Sequence, residues 1–273
     1  LRILFLGDVV GRSGRDALTA GLPGLRAQLR ADLVVVNVEN ASHGFGVSPD
    51  MVRGFLGCGA DALTLGNHSW DRKEIIGFID GEPRLLRPLN YPPGTPGRGA
   101  SVIDLPGGRR ALVMNVMGRL FMEALDDPFR GAQAELAKHS LGASGTVQAI
   151  LVDIHAEASS EKMSFAHSFD GRVSLVVGTH THVPSADHRI LENGTAYMTD
   201  AGMCGDYDSV IGMQKGAAAL RFWKKVPGEK LAPAEGPASL SGVFVETDDA
   251  TGLARKVAPV RVGGLLAPAM PDF

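Results

Sequence analysis

Leu33-Val34-Val35-Val36-Asn37-Val38-Glu39-Asn40 is a short apolar run, dense in β-branched residues, that stops on a carboxylate and an amide. Such side chains favour the extended backbone, so the run predicts a strand with polar groups at its carboxyl end. The same pattern recurs on both sides. Upstream, Arg2 to Leu6 ends at Gly7-Asp8, and the segment Arg15 to Ala31 between the two runs is helical in composition. Its interruptions at Gly21, Pro23 and Gly24 predict two short helices, with Pro23 opening the second. Downstream, Ser48-Pro49-Asp50 predicts an N-cap with proline in the first turn, and Met51, Val52, Phe55 and Leu56 supply an apolar face. Ala62 to Leu65 then ends at Gly66-Asn67-His68, where Asp71 and Glu74 have the spacing of a capping box and Trp70 with Ile75 that of a hydrophobic staple. Strand alternating with helix predicts an α/β fold.

The rest of the chain extends this pattern and then changes it. Pro88 to Gly99 predicts an irregular loop, and Ser101 to Leu105 a hairpin through Gly107-Gly108 into Ala111 to Met117. Asp127-Pro128 predicts a helix start, Thr146 to Ile154 a strand ending at His155, and Val173 to Val177 a strand ending at Gly178-Thr179-His180. Asn193-Gly194 and Asp248 to Gly252 read as hairpin turns, so antiparallel strands close the C-terminal part. At 273 residues the default is one domain spanning 1–273.

Composition excludes several classes. Lys+Arg 27 against Asp+Glu 30 gives a net charge of -3, too little positive charge for an extended nucleic-acid groove or a polybasic membrane anchor. Two cysteines, Cys58 and Cys204, make neither a disulfide framework nor a cysteine-rich zinc site, and no apolar run approaches the length of a membrane span. A reduced, cytoplasmic chain is expected. Cys58 falls in a helix and reads as core; Cys204 falls in the Gly202 to Gly205 loop, and neither is assigned a catalytic role.

The informative pattern is what stands at successive strand ends: Asp8, Glu39-Asn40, Asn67-His68, His155, and His180-Thr181-His182. In open α/β sheets ligands bind outside the carboxyl ends of the strands, so these distant segments can converge on one crevice. A lone aspartate after a strand is ordinarily a turn residue, and a lone histidine ordinarily a surface one. Five such ends together point to a metal centre. Oxygen and imidazole without thiolate suit iron, manganese or zinc better than copper, magnesium or calcium. His180 and His182 share one face if the strand continues, whereas Gly178 and Pro184 suggest that it has ended and that the two rings serve different metals. His43, His139, His167 and His188 lack the strand-end placement.

Other motifs fail on spacing. Gly7 to Ser13 has three residues between its glycines and Arg12 where a phosphate loop needs lysine; Gly44-Phe45-Gly46 lacks a third glycine; Gly11-Arg12-Ser13-Gly14 misses the nucleophile elbow by one residue.

Gly7-Asp8, Gly66-Asn67-His68 and Gly178-Thr179-His180-Thr181-His182 resemble the signature of the calcineurin-like metallophosphoesterases. Gly7-Asp8-Val9-Val10-Gly11, Asn37 to Ala41, Asp153 to Glu157 and Asp206 to Gly212 narrow the resemblance to the YmdB-type branch, whose members are described as 2',3'-cyclic-nucleotide 2'-phosphodiesterases. The chain departs from the wider superfamily at Val10, where many members place a ligand histidine, at Glu39, which replaces a bridging aspartate, and at Ser69, where many relatives carry an acid beside the histidine.

The resemblance implies a four-layer α/β/β/α sandwich of two mixed sheets flanked by helices. It implies two transition-metal ions, iron ahead of manganese or zinc. Asp8, Glu39, Asn40 and His182 would hold one; Glu39, Asn67, His155 and His180 would hold the other, with Glu39 bridging. Metal-bound hydroxide would attack phosphorus while His68 protonates the departing ribose oxygen, converting 2',3'-cyclic nucleotides to nucleoside 3'-phosphates. The expected partner is a small nucleotide or a short RNA end, with homo-oligomerisation left open. Asp206, Tyr207 and Ser209, in the Gly202 to Gly212 loop, are candidate substrate contacts. The alternatives are a broader phosphomonoesterase or nuclease using the same metals, and a metal-stabilised regulatory scaffold with little turnover.

Overall fold

The computed structural model describes residues 1–224 and 229–272. The chain begins with β1 (Arg2–Leu6), β2 (Asp8–Val9), α1 (Gly11–Leu29), β3 (Leu33–Asn37), α2 (Pro49–Gly57), β4 (Ala62–Thr64) and β5 (Leu85–Leu86). It continues through β6 (Ala100–Leu105), β7 (Arg109–Met117), α3 (Pro128–Leu136), β8 (Ala149–His155), α4 (Ser159–Ser168) and β9 (Leu175–Thr179). The final elements are β10 (Arg189–Ile190), β11 (Ala196–Met198), β12 (Met203–Asp206), α5 (Lys215–Lys224), β13 (Ala238–Thr247) and β14 (Ala254–Val262). They form an eight-stranded sheet of order β2-β12-β13-β1-β3-β4-β5, with β14 paired to β13, and a six-stranded sheet of order β10-β11-β9-β8-β7-β6. Both are mixed: β1-β3-β4-β5 and β7-β8-β9-β11 run parallel, while β13, β6 and β10 pair antiparallel.

Alternation along each strand builds the layers. Side chains two apart share a face, so Ile3, Phe5, Leu33 and Val35 point between the sheets and meet Val113, Leu151, Leu175 and Val177 of the second sheet. Their neighbours Leu4, Leu6, Val34 and Val36 point the other way, against Leu18, Leu22, Leu25 and Leu29 of α1 and Val52 and Phe55 of α2. On the far side Met114, Val116, Ile150 and Val152 pack on Ala132 and Leu136 of α3 and Phe165 of α4. Helix, sheet, sheet and helix therefore stack as the expected four-layer α/β/β/α sandwich. Among the described residues no helix is long and apolar enough to cross a membrane.

Two local expectations change. Residues 11–29 form one helix with Pro23 inside it, not two short ones. Proline removes one hydrogen bond, yet Leu18, Leu22, Leu25 and Leu29 make a continuous buried stripe on the sheet, and that packing outweighs the local defect. The capping box at Asp71 and Glu74 forms no α-helix: a single 3-10 turn covers Lys73–Ile75, and the Asp71 carboxylate binds His68 instead. Elsewhere Ser48 accepts from the Met51 N–H, Asp127 caps α3, and the hairpins at Gly107-Gly108, Asn193-Gly194 and Asp248 to Gly252 form as expected.

Because Pro23 is exposed inside α1 and alanine would restore the helical N–H that proline lacks, Pro23→Ala should raise the unfolding free energy by roughly 1–3 kcal/mol in urea titration. A loss of stability would show that the ring sets a needed bend.

Candidate metal centre

All five strand ends meet at one seam between the sheets. Asp8 follows β1 by two residues, Glu39 and Asn40 follow β3, Asn67 follows β4, His155 ends β8, and His180 and His182 follow β9. Asp8 and His155 are fully buried, and Glu39, Asn40 and His182 nearly so. The His155 Nε2 is the geometric hub. It lies 2.9 Å from Glu39 Oε1, 2.9 Å from Asn67 Oδ1 and 3.2 Å from His180 Nδ1. Asp8 faces the same cluster, with Oδ1 3.9 Å from His155 Nδ1 and 4.0 Å from His182 Nε2, and with Oδ2 accepting from the His180 N–H at 3.2 Å.

β9 stops at Thr179, and His180 and His182 adopt left-handed φ values of 93° and 65°. The strand rule that would place both rings on one face therefore does not apply. His180 turns toward His155, and His182 turns toward Asp8.

A second layer of bonds sets which ring nitrogen faces inward. His155 Nδ1 donates to Thr179 Oγ1 at 2.8 Å, and that hydroxyl donates to Asp153 Oδ1 at 2.7 Å. His182 Nδ1 donates to the Ile211 carbonyl at 2.8 Å, and His180 Nε2 meets Glu157 at 3.1 Å. In each ring the nitrogen aimed at the cluster is thereby freed for it, the arrangement by which proteins orient imidazole ligands. The Glu39 carboxylate also accepts from the His68 backbone N–H at 3.0 Å.

Burial and mutual charge shape the protonation of the group. Burial pushes Asp8 up to about 6, despite the imidazoles of His182 and His155. Burial alone would raise Glu39, yet the hydrogen-bonded His155 holds it down to about 2. The converse holds for His155: burial opposes its charge, and Glu39 lifts it to about 9. His180 falls to about 3 through burial and the neighbouring His155 charge.

The donors fit a cation. Asp8 Oδ1 and Asn40 Oδ1 are buried without a hydrogen-bond partner, although buried oxygens are almost always bonded. The Asn40 amide nitrogen is tied to the Gly44 carbonyl at 2.9 Å, which leaves its oxygen as the free end. Ligand atoms of Glu39, His155 and His180 lie within 4.8 Å of one another. Oxygen and imidazole donors of this kind suit a transition metal.

His68 stands at the edge, half-buried, its Nδ1 donating to Asp71 Oδ2 at 2.8 Å and its ring edge-on to Phe45 with 5.0 Å between centroids. Asp71 thus supplies the carboxylate that Ser69 cannot; Ser69 bonds the Gly66 carbonyl instead.

Asp206, Tyr207 and Ser209 have their polar atoms engaged by their own segment and by Gly236. Asp206 accepts from the Asp208 and Gly236 N–H groups, the Tyr207 hydroxyl bonds the Met203 backbone, and Ser209 donates to the Asp206 carbonyl. The loop reaches the cluster through Ile211. Cys204 lies buried on β12, its thiol pushed up to about 12 by burial, and Cys58 caps α2. Asp71, Asp153, Glu157 and Thr179 fall outside the site residues expected from sequence. The clearest sequence signal for one of them is Asp153, a carboxylate inside the apolar run Ala149 to His155.

With this geometry in view, similarity to known proteins becomes specific. A family model described as YmdB-like protein matches residues 4–260. The chain belongs to the YmdB-like family. It is 45% identical over 257 residues, 94% of this chain and 95% of the other, to a Bacillus subtilis protein named 2',3'-cyclic-nucleotide 2'-phosphodiesterase. Its fold matches a hypothetical protein from Thermus thermophilus with TM-score 0.88 and 40% identity, covering 97% of this chain and 100% of that one. A structure described as a novel phosphatase of Mycoplasma pneumoniae matches with TM-score 0.87 and 34% identity, covering 96% and 93%. The sandwich is thus of the metallophosphoesterase type.

Gly66 gives this YmdB-like site a sharp test. A Cβ at that position would collide with His155 Cδ2 and Nε2 and with Glu39 Oε2, all inside the cluster. Gly66→Ala should therefore strip metal from the protein, read by elemental analysis, while circular dichroism still reports the folded sandwich. Full metal content in that variant would mean that the cluster is not the binding site.

Proposed function

We propose that the chain is a dinuclear-metal phosphodiesterase that converts 2',3'-cyclic nucleotides to nucleoside 3'-phosphates in the cytoplasm. The observation that carries the reading is the convergence of donors from five strand ends, with Asp8 Oδ1 and Asn40 Oδ1 buried and unpartnered. The substrate is supported by the 45% identity to a protein named for that reaction. Asp8, Glu39, Asn40 and His182 would hold one ion, and Glu39, Asn67, His155 and His180 the other, with iron ahead of manganese or zinc. Such ions supply Lewis acidity, activating water and neutralising charge on the phosphoryl oxygens.

The chain's own groups orient and move protons. Thr179 Oγ1 accepts a hydrogen bond from His155 Nδ1–H, and the Ile211 carbonyl one from His182 Nδ1–H, so both Nε2 lone pairs face the cluster. Asp71 accepts from His68 Nδ1, so Nε2 is the atom that delivers a proton to the departing 2'-oxygen. A water oxygen joins phosphorus, the bond from phosphorus to the 2'-oxygen breaks, and that oxygen leaves as a hydroxyl. The phosphate remains on the 3'-oxygen as a monoester. Phe45, edge-on to the His68 ring, limits its swing. A small nucleotide or a short RNA end suits a chain of net charge -3, since the ions at the centre provide the positive charge.

Turnover of a 2',3'-cyclic nucleotide, a 3',5'-cyclic nucleotide and a nucleoside monophosphate tests the substrate class. Preference for the first is expected; comparable rates on the monoester would favour the broader phosphomonoesterase. His68→Ala should lower kcat by roughly 10²–10⁴-fold with metal content intact. Asp71→Asn should cost less, roughly 10–100-fold, as expected for a partner that orients an active-site imidazole. Loss of metal in His68→Ala would make that residue a ligand.

A further inference from the structure

We propose that the substrate's base stacks on Phe121, so that the loop after β7 selects nucleotides over base-free cyclic phosphates. The proposal rests on the cyclic-nucleotide reading above and deepens it. β7 lies beside β8 in the second sheet and runs parallel to it, so the loop leaving Met117 emerges at the same end as His155. The two are tied directly: the Gly118 N–H donates to the His155 carbonyl at 3.0 Å. Phe121 is three residues farther on, within roughly 11 Å of extended chain.

The backbone there is unusual. Met122 N–H donates to the Arg119 carbonyl at 3.3 Å, closing a tight turn, and Phe121 at its third position has φ 64°. That position of such a turn favours glycine or asparagine, because a Cβ crowds the neighbouring carbonyl. A phenyl ring is the costly choice. Nor does packing offset the cost, since Phe121 is 84% exposed and its neighbour Leu120 45%.

The turn persists because other groups hold it. Glu161, in the first turn of α4, accepts from the Arg119 N–H with both oxygens, at 3.0 and 3.1 Å, and from the Leu120 N–H at 3.1 Å. Gly118 permits the close approach: a Cβ there would press on Glu161 Oε2 and the Ala156 Cβ. A strained, braced and exposed aromatic ring on the loop that leaves the sheet beside His155 is a preorganised stacking face. Every base has a π face, so such a surface binds nucleotides without reading their sequence.

The experiment compares adenosine 2',3'-cyclic phosphate with ribose 2',3'-cyclic phosphate, which lacks the base, on the metal-loaded wild type, Phe121→Gly and Phe121→Tyr. In Phe121→Gly the ratio of kcat/KM for the nucleotide over the base-free substrate should fall roughly 5–100-fold, with the loss in KM. Phe121→Tyr should restore the ratio. Glycine suits the left-handed turn, so the melting temperature of Phe121→Gly should not fall, which separates lost stacking from lost structure. An unchanged ratio in Phe121→Gly while the wild type hydrolyses the nucleotide overturns this proposal alone. A changed oligomeric state by light scattering with an unchanged ratio would make the ring a contact between copies and likewise overturn it. If the wild type hydrolyses neither substrate, the cyclic-nucleotide reading falls and this proposal with it.

Discussion

The constraint on which the rest depends is charge balance at the seam between the sheets. Asp8 and Glu39 are buried to 0% and 1% exposure, and among the described residues their ion-pair partners are imidazoles alone. Burying carboxylates is costly unless opposite charge and hydrogen bonds compensate. Here the contact between the Glu39 carboxylate and the His155 ring favours the charged form of each, lowering the titration of Glu39 and raising that of His155. The same atoms could hold a positive ion: ligand atoms of Glu39, His155 and His180 lie within 4.8 Å of one another, and this chemistry stands apart from any likeness to other proteins.

The sandwich and the site are built from shared atoms. Asp153 is fully buried on β8 and accepts from Asn37 on β3, Thr64 on β4 and Thr179 on β9. It therefore ties both sheets together at the level of the cluster, and through Thr179 it fixes the orientation of His155. Burial raises its pKa while the three donors and His155 oppose the rise. Sheet packing and ligand geometry are coupled at this one carboxylate. The loop carrying Ile211 plays the matching part for His182, which is how a segment whose polar side chains bond among themselves still shapes the centre.

Strand ends are legible in the sequence because their signal is doubly local: a β-branched run, then a ligand-type residue, repeated. The single helix α1 is not, because Pro23 is a local breaker and the compensating stripe of leucines draws its strength from a sheet assembled from distant residues. Asp71 misleads for a related reason. A carboxylate three residues past His68 has a spacing that serves an imidazole, while its own spacing to Glu74 is that of a helix cap, and only the fold decides between them. The aims of His180 and His182 depend on the left-handed backbone at both, and handedness of φ is not written in residue type. Phe121 is hidden in the same way.

The measurement that bears most directly on the proposed metal centre is elemental analysis of the purified protein, paired on the same sample with hydrolysis of a 2',3'-cyclic nucleotide before and after chelation. The expected result is about two transition-metal ions per chain, release of a nucleoside 3'-phosphate, and loss of that release when the ions are removed. A protein that neither retains nor can be reloaded with metal, or that turns over equally well after chelation, would contradict it.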